Sequence, residues 1–221
     1  MVSYGPEYPK INGLWKRDEK GTVLIGEWST PEFAYLASTP WTWTEKIDGT
    51  NIRIHWDGSQ VTIGGRTDKA QLPGPLVNNL TDGRLLVSAL WKAIFPECDN
   101  VTLYGEGYGA GIQKGGGNYR PDQDFILFDI RVGDWWLKRE DVEDVADKMG
   151  VEVVPVVDDG YSPREVWEGV KSESLCSAWP GVEIEGYVGH PKAELYDRRG
   201  NRITMKIKMK DWHDYLKKLH A

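Results

Sequence analysis

Successive β-rich segments constrain the fold of this chain more than any other feature of its sequence. From Trp41 onward, three such runs follow one another: WTWTEKI, TNIRIHW and, after an Asp57-Gly58 turn, QVTIGG. Runs rich in β-branched and aromatic residues, separated by short turn sequences, are typical of antiparallel strands. The pattern therefore predicts antiparallel strands joined by tight turns from Trp41 to Ile63, with Lys46 at the end of one strand.

The rest of the chain mixes strands and helices without regular alternation. Apolar residues at helical spacing predict a helix in the second half of 74–95, capped by Asp82. The other predicted elements are strands in VTLYGEGY, Asp124–Val132, VEVVPVV, GVEIEGYVGHP, AELYD and NRITMKIKM, and helices over Arg139–Met149 (ended by Gly150), Pro163–Ser172 and the terminal DWHDYLKKLHA. The helices are too scattered for a doubly wound sheet, so we expect an α+β fold dominated by antiparallel strands.

The length of 221 residues is enough for one well-packed domain. No repeat or Gly/Ser-rich linker divides it, so we expect a single domain over 1–221, with a lead-in over 1–40, a core over 41–210 and a terminal helix over 211–221. No apolar run approaches the ~18 residues that a membrane span needs, and the N-terminus lacks the pattern of a signal peptide. Cys98 and Cys176 show no metal or disulfide spacing. These features predict a cytoplasmic protein that does not enter membranes.

The segment Glu45-Lys46-Ile47-Asp48-Gly49-Thr50-Asn51 is the most informative heptad. One interpretation is an ordinary hairpin with a solvated lysine. The other is a covalent nucleophile, an amine that attacks the α-phosphate of a nucleotide, with Thr50 and Asn51 near the ribose. An amine must be neutral to attack, and the unperturbed pKa of lysine is ~10.4. The second interpretation therefore requires positive charge nearby, which favours the neutral form.

The segment MKIKMK from Met205 to Lys210 supplies such positive charge. In a strand, alternate residues share a face, so Lys206, Lys208 and Lys210 would project together while Met205 and Ile207 face the core. The alternative is a solvated polar face. The net charge of −7 and the pI of about 5.2 weigh against a protein that coats nucleic acid, because such domains usually have a pI above ~9. Binding of a polyanion would depend on a local patch of this kind.

Six motifs occur in the order found in covalent nucleotidyltransferases: EKIDGTN (45–51), GGRTDKAQ (64–71), LYGEGYG (103–109), DFILFDI (124–130), VEIEGYV (182–188) and MKIKMK (205–210). This superfamily contains ATP-dependent DNA ligases, RNA ligases and capping enzymes. Within it the chain most resembles the RNA ligase domain family, the RNA ligase 2-like proteins of phages and bacteria. The resemblance covers nearly the whole chain and implies an antiparallel, ATP-grasp-like ligase core.

The resemblance also implies roles for individual residues, several of which have a purely structural alternative. The implied roles are Lys46 as the nucleophile that becomes linked to AMP, Glu45 at the adenine edge, Asn51 and Glu106 at the ribose, Arg66 at the ribose or the 5′-phosphate side, Phe128 stacked on adenine, Glu185 as the ligand of Mg²⁺ or Mn²⁺, and Lys206 and Lys208 on the phosphates. The alternatives are a surface arginine for Arg66, a core phenylalanine for Phe128 and strand glutamates for Glu106 and Glu185.

Two departures from the family pattern leave the substrate open. The chain has Asp48 where the RNA ligase 2 prototype has histidine, and aspartate is the common choice in DNA ligases. Only 13 residues follow Lys208, so we expect neither an appended OB domain nor an appended helical domain. A partner protein that supplies an RNA-binding domain is one possibility, and we expect a monomer.

The glycine-rich segment from Gly105 to Arg120 has no Walker A order. We expect a flexible flap in which Lys114 and Arg120 meet phosphates near the nucleic-acid end, with a simple connecting loop as the alternative. The tryptophans at 41, 43 and 56 are expected in the core rather than on bases. The histidines at 55, 190, 213 and 220 lack metal-ligand spacing and receive no role.

Taken together, the sequence predicts an ATP-dependent RNA ligase of RNA repair, in a bacterium or a phage-infected host. It would join 5′-phosphate and 3′-hydroxyl ends, single-stranded or nicked, through a lysyl-AMP on Lys46 and an adenylylated 5′ end. The alternatives are a minimal ATP-dependent DNA ligase or nick-sealing ligase on hybrids, and a nucleotide- or RNA-binding module without turnover.

Overall fold

The structure, a computed structural model, describes residues 3–219, apart from the side chain of Arg84. The chain forms two compact units. Unit 1 comprises the N-terminal residues up to Pro9 together with Asp48–Val154, and unit 2 comprises Lys10–Ile47 and the chain from Pro155 onward. The prediction of one ligase domain over 1–221 stays a prediction.

The strands and helices are numbered in chain order. The strands are β1 (Asn12–Gly13), β2 (Trp15–Arg17), β3 (Val23–Trp28), β4 (Trp41–Glu45), β5 (Thr50–Trp56), β6 (Val61–Gly65), β7 (Val101–Gly109), β8 (Gln123–Val132), β9 (Trp135–Trp136), β10 (Glu152–Val153), β11 (Val156–Asp159), β12 (Gly186–Pro191) and β13 (Met205–Lys208). The helices are α1 (Pro31–Tyr35), α2 (Gly74–Asp82), α3 (Ser88–Ile94), α4 (Arg139–Met149), α5 (Pro163–Lys171) and α6 (Met209–Leu219), with 3₁₀ turns at Arg84–Leu86 and Gly116–Asn118. None of the helices in residues 3–219 is both long and apolar enough to cross a membrane.

Unit 1 is built on a sheet of order β10-β8-β7-β5-β6, with β9 paired to β8. All its pairings are antiparallel except that of β8 with β10. Ile52, Ile54 and Trp56 alternate along β5 and join the core, which α2, α3 and α4 also line. The residues between them on β5 face the opposite side, where the buried Arg53 donates to the carbonyl oxygens of Gly65 at 2.7 Å and Gly5 at 2.7 Å. The N-terminal segment thus covers the second face of this sheet.

Unit 2 is built on a sheet of order β1-β13-β12-β4-β11 and a separate β2-β3 hairpin. Its pairings are antiparallel except that of β1 with β13. Trp41 and Trp43 of β4 are fully buried in its core, as predicted, together with Tyr187 and Ile207. Trp56 is likewise buried, in the core of unit 1. Both cores confirm the predicted α+β fold dominated by antiparallel strands.

The strand prediction around the lysine heptad is confirmed in its elements and wrong in its pairing. β4 and β5 both form, and Asp57-Gly58 makes the turn to β6. However, β4 pairs with β11 and β12, whereas β5 pairs with β6 and β7. Because both edges of each strand are already occupied, no edge remains for a β4-β5 hairpin. The ordinary-hairpin interpretation of the heptad is therefore wrong.

Three further predictions need correction. The helix predicted in the second half of 74–95 is confirmed as α3, but α2 occupies the first half, so Asp82 ends a helix instead of capping one. The run VEVVPVV breaks at Pro155, which lacks a backbone donor, into β10 of unit 1 and β11 of unit 2. AELYD forms only an isolated bridge, between Tyr196 and Arg202.

The helices predicted at Arg139–Met149 and Pro163–Ser172 are confirmed to within one residue. The terminal helix is confirmed as α6, which ends at Leu219. The last two residues assigned to it, His220 and Ala221, lie outside the described residues.

We expect Ser162→Ala to lower the free energy of unfolding by about 1 kcal/mol. Ser162 and Glu165 form a capping box at α5, in which the Ser162 side chain accepts from the backbone N–H of Glu165. Urea denaturation measures the change. Ser88→Ala is the control, because that hydroxyl caps no helix; an equal loss in both variants would contradict the capping role.

The same contacts between Ser162 and Glu165 predict that the free energy of unfolding depends on pH. Hydrogen bonds from the Ser162 side chain and backbone lower the pKa of Glu165. A lowered folded-state pKa contributes stability above the unfolded value, and this contribution is lost as the pH falls through the folded pKa. The difference in stability between the natural chain and Ser162→Ala should therefore be smaller at pH 3 than at pH 7, as urea titrations at both values would show.

Candidate active site

Lys46 lies directly after the last residue of β4 in unit 2. Its backbone N–H donates to the carbonyl oxygen of Gly186 at 2.9 Å, which continues the β4-β12 ladder by one residue. Trp41 and Trp43 fix the register of β4 because both are buried. The strand end predicted for Lys46 is thus confirmed.

One carboxylate joins two lysines in unit 2. Glu185 Oε2 accepts from Lys46 Nζ at 2.5 Å, and Glu185 Oε1 accepts from Lys208 Nζ at 2.6 Å. The Lys46 and Glu185 side chains are 24% and 19% exposed, so the pair is open to a ligand but partly screened from water. Two ammonium groups and one carboxylate leave a local excess of positive charge, as a polyphosphate requires.

Lys206 lies on the same face of β13 as Lys208. Both are half-buried, whereas Met205 and Ile207 between them are buried in the core of unit 2. The predicted division of faces is confirmed for these residues. It is wrong for Lys210, because β13 ends at Lys208 and α6 begins at Met209.

The side chains of this cluster suit a divalent cation only when a bound substrate supplies further oxygen ligands. In residues 3–219 no group of three or more His, Cys, Asp or Glu side chains could hold a metal ion. Mg²⁺ in phosphate sites commonly binds one or two carboxylates and completes its shell with phosphate oxygens and water. Glu185, between two ammonium groups, fits that pattern.

Glu45 faces away from Lys46 because neighbouring strand residues point to opposite sides of a sheet. Its buried carboxylate accepts from Ser177 Oγ at 2.6 Å and from the Ala178 backbone N–H at 2.8 Å. Sequence reasoning missed this role, because nothing in the sequence links Glu45 to a loop so far along the chain. A contact between Glu45 and adenine remains a prediction.

Tyr187 lies across the strands from Glu45 and is fully buried. Burial and the nearby Glu45 carboxylate raise the pKa of its hydroxyl. Within the described residues that hydroxyl has no hydrogen-bond partner. Sequence reasoning did not single out this residue either.

In unit 1, Asn51 and Glu106 are direct partners across β5 and β7. Asn51 Oδ1 is buried and has no hydrogen-bond partner in the part of the chain that the structure describes. A Cβ on Gly49 would lie 2.2 Å from the Gly107 oxygen and 2.8 Å from Glu106 Cγ, so only glycine fits there. An orphaned polar atom beside a carboxylate is suited to a polar ligand group such as a ribose hydroxyl.

Phe128 is half-buried in unit 1 next to a β-bulge between β7 and β8. Its ring packs against that of Tyr8 in a T-shaped arrangement at a centroid distance of 5.0 Å, and the Tyr8 hydroxyl donates to Asp129 Oδ2 at 2.9 Å. Stacking of Phe128 on adenine remains a prediction.

Arg66 is exposed and directly follows β6. The backbone around it is fixed, because Arg53 binds the Gly65 oxygen at 2.7 Å and the Asp68 carboxylate at 2.8 Å. The predicted contact of Arg66 with the ribose or a phosphate stays a prediction.

The predicted flap differs from the structure in two respects. Its first residues, Gly105–Gly109, belong to β7 and are not a loop. Arg120 is held by Asp122 at 2.7 Å and by Asp124 at 2.5 Å, and hydrogen bonding to Asp122 raises the pKa of its guanidinium. Lys114 is exposed. Of the two predicted phosphate contacts, Lys114 is therefore the better placed.

The loop after β7 contacts the lysine heptad within unit 1. Gln113 Nε2 donates to the Gly49 oxygen at 2.9 Å, and the Tyr119 hydroxyl accepts from the Asp48 N–H at 3.4 Å. Sequence reasoning missed this contact too.

Of the four histidines without a role, His220 lies outside the described residues.

Arg120→Ala should lower the free energy of unfolding by about 1–2 kcal/mol, because it leaves two carboxylates without their cation. Lys114→Ala should change it by less than about 0.5 kcal/mol, as expected for an exposed side chain. Urea denaturation of both variants gives the comparison, and equal effects would contradict the anchoring of Arg120.

A family model described as RNA ligase matches residues 39–208. No curated protein matches the chain at a significant level. Solved structures of the Naegleria gruberi RNA ligase share its fold: a variant with ATP and Mn and an apo variant each have a TM-score of 0.65 at 16% identity, covering 99% of this chain and 59% of theirs. The form with PPi has a TM-score of 0.62 at 19% identity, covering 96% and 63%. The chain thus spans less than two thirds of the length of these relatives.

Proposed function

Because the chain belongs to the RNA ligase family, we propose that it is an ATP-dependent RNA ligase that joins 5′-phosphate and 3′-hydroxyl ends through a lysyl-AMP on Lys46. The single observation that carries this proposal is the hydrogen-bonded cluster of Lys46, Glu185 and Lys208. It combines an amine nucleophile, a metal-binding carboxylate and a phosphate-binding cation at one point. The solved relatives with ATP, Mn and PPi are in keeping with nucleotide chemistry of this kind.

In the first step, the lone pair of Lys46 Nζ attacks the α-phosphorus of ATP. An N–P bond forms, the bond from the α-phosphorus to the bridging oxygen breaks, and pyrophosphate leaves. Glu185 Oε2 is 2.5 Å from Lys46 Nζ, so it is positioned to accept the proton that the ammonium must lose. Lys208 and Lys206 would offset the charge that develops on the phosphates. A divalent cation at Glu185 would add further positive charge on the phosphate oxygens.

The later steps regenerate the lysine. An oxygen of the RNA 5′-phosphate attacks the α-phosphorus, the N–P bond breaks and an adenylylated 5′ end forms. The 3′-hydroxyl then attacks the 5′-phosphorus, a phosphodiester forms and AMP leaves. Most of the rate enhancement in such transfers comes from positioning and electrostatics.

The nucleoside contacts are proposed from the family resemblance for residues of unit 1. Asn51 and Glu106 would contact the ribose, Phe128 the adenine and Arg66 the ribose or the 5′-phosphate side. The partnerless Oδ1 of Asn51 supports the first of these contacts. RNA ends as the substrate, RNA repair as the context and a monomeric enzyme belong to the same proposal.

Incubation with ATP and Mg²⁺ should add one AMP to the intact protein, as measured by mass spectrometry. Lys46→Ala should abolish the adduct, because the nucleophile is gone. Lys210→Ala is the matched control, since this lysine lies in α6 and is exposed. An adduct that persists in Lys46→Ala, or none with any nucleotide, would refute the mechanism.

Glu185→Gln should lower the rate of lysyl-AMP formation by at least about 100-fold, because the amide neither accepts the Lys46 proton nor binds the metal well. Chelation of divalent ions should have a comparable effect on the natural enzyme. Rates of AMP incorporation over a series of Mg²⁺ concentrations measure both. A Glu185→Gln variant with the natural rate would exclude this role.

A panel of nicked and single-stranded RNA, DNA and hybrid substrates distinguishes the remaining alternatives. Sealing of RNA ends is the expected result. Exclusive sealing of DNA nicks would support the DNA ligase alternative. Absence of both sealing and adduct would support a binding module without turnover.

A further inference from the structure

The connection between β12 and β13 ends in an ordered, positively charged tip. The Ile203 N–H donates to the Leu195 oxygen at 2.8 Å, and Tyr196 bridges Arg202, so the hairpin stays extended beyond the named strands. At the end of this ladder, Asp197 N–H donates to the Asn201 oxygen at 2.8 Å. We define residues 196–201 as the hairpin tip.

Asp197 holds the hairpin tip in one conformation. Its carboxylate accepts from the backbone N–H groups of Arg199 and Asn201, each at 2.8 Å, and from Asn201 Nδ2 at 2.9 Å. These hydrogen bonds lower the pKa of Asp197, and the one from the Asn201 side chain has the largest effect. Gly200 has φ +79, a left-handed conformation that glycine adopts without strain. The tip is therefore built by its own residues and needs no partner to order it.

The hairpin tip presents two guanidinium groups to solvent. Arg198 and Arg199 are exposed, and no ion pair involves either of them in the part of the chain that the structure describes. The neighbouring cations differ, since Arg202 is paired with Glu194 and Lys192 with Asp159. Tyr196 is 47% exposed in the same hairpin.

The charge of the chain is distributed unevenly between its two units. Unit 2 contains 16 Lys and Arg against 16 Asp and Glu, whereas unit 1 contains 11 against 18. The net charge of −7 therefore belongs to unit 1. A polyanion meets less repulsion at unit 2, where the hairpin tip and the lysine cluster both lie.

We propose that the hairpin tip binds the phosphate backbone of the RNA strand at a distance from the end that is joined. This inference rests on the proposed function, because it takes RNA as the substrate. Arginine is suited to the task, since its planar fork matches phosphate oxygens. An exposed tyrosine beside it offers a face for an unpaired base.

The reach of the hairpin sets the length of RNA that is required. Five steps along the chain lead from Asn201, the last residue of the hairpin tip, to Lys206, and an extended chain rises ~3.3 Å per residue, so the tip begins roughly 17 Å from Lys206. A stacked strand rises ~3.4 Å per nucleotide, so this distance corresponds to about five nucleotides. The hairpin tip therefore binds RNA that extends beyond about five nucleotides from the end, and shorter RNA does not reach it.

The test is RNA binding by Arg198→Ala/Arg199→Ala, measured by fluorescence anisotropy without ATP over a range of salt concentrations. Loss of two phosphate contacts should weaken binding of a single-stranded 16-nucleotide RNA about ten-fold and reduce the salt slope by about 1.4. Arg198→Lys/Arg199→Lys should retain most of the slope, because it keeps the charge. A four-nucleotide RNA should bind all variants equally.

Lys171→Ala/Lys217→Ala is the matched control. It removes the same charge from exposed sites on α5 and α6 of unit 2, and it should leave the affinity for the longer RNA within about two-fold. Equal losses in the two double variants, or none in Arg198→Ala/Arg199→Ala, would overturn the proposal.

Lysyl-AMP formation from ATP needs no RNA, so it separates the two proposals. If the natural chain forms the adduct and the arginine variant binds long RNA normally, the hairpin proposal alone fails. If no adduct forms but the arginine variant loses affinity for long RNA, the ligase proposal fails and the binding site stands.

Discussion

The candidate site depends on a single carboxylate that accepts hydrogen bonds from two ammonium groups. Two like charges held close together near a protein surface repel each other, and Glu185 between Lys46 and Lys208 offsets that repulsion. A phosphate group offers the same kind of oxygen acceptors as that carboxylate. In the proposed function, Glu185 thus keeps the two ammonium groups together, and phosphate binding would exchange one set of anionic oxygens for another.

Successive residues of a β-strand face opposite sides of the sheet. At the end of β4 and in β13, residues that pack in the interior therefore alternate with charged residues that face the candidate site. Glu45 is buried and anchors a loop, while Lys46 next to it faces the cluster. Lys206 and Lys208 face one side of β13, while Ile207 between them packs in the core. The apolar neighbours fix the register, and the register fixes where each charged group lies. A slip of one residue in β13 would bury both lysines and expose the core side chains.

Local patterns predicted most of the elements but, apart from the β5-β6 hairpin, none of the pairings between them. Alternation in MKIKMK was sufficient to divide the faces of β13, and the turn signal at Asp57-Gly58 was sufficient for one hairpin. Pairing of β4 with β11 and β12 is non-local, so the heptad alone favoured a hairpin that both strands exclude. The need for positive charge near Lys46 pointed to Lys208, whereas the place of Glu185 beside them was implied only by the family resemblance. The ion pairs of Arg120 and the contact of Glu45 with Ser177 have no sequence signal, because each depends on how a loop folds back.

The order of strands in the sheet of unit 2 has a consequence for synthesis of the chain. β4 pairs with β11 and β12, and β12 pairs with β13, so its neighbours are translated only after the whole of Asp48–Val154. The long, non-local pairings that complete this sheet are slow to form, because a large loop must close first. A nascent chain therefore carries Lys46 through most of its synthesis without Glu185 or Lys208. Lys46 acquires its electrostatic surroundings among the last events of folding, so a chain truncated before Glu185 lacks them entirely.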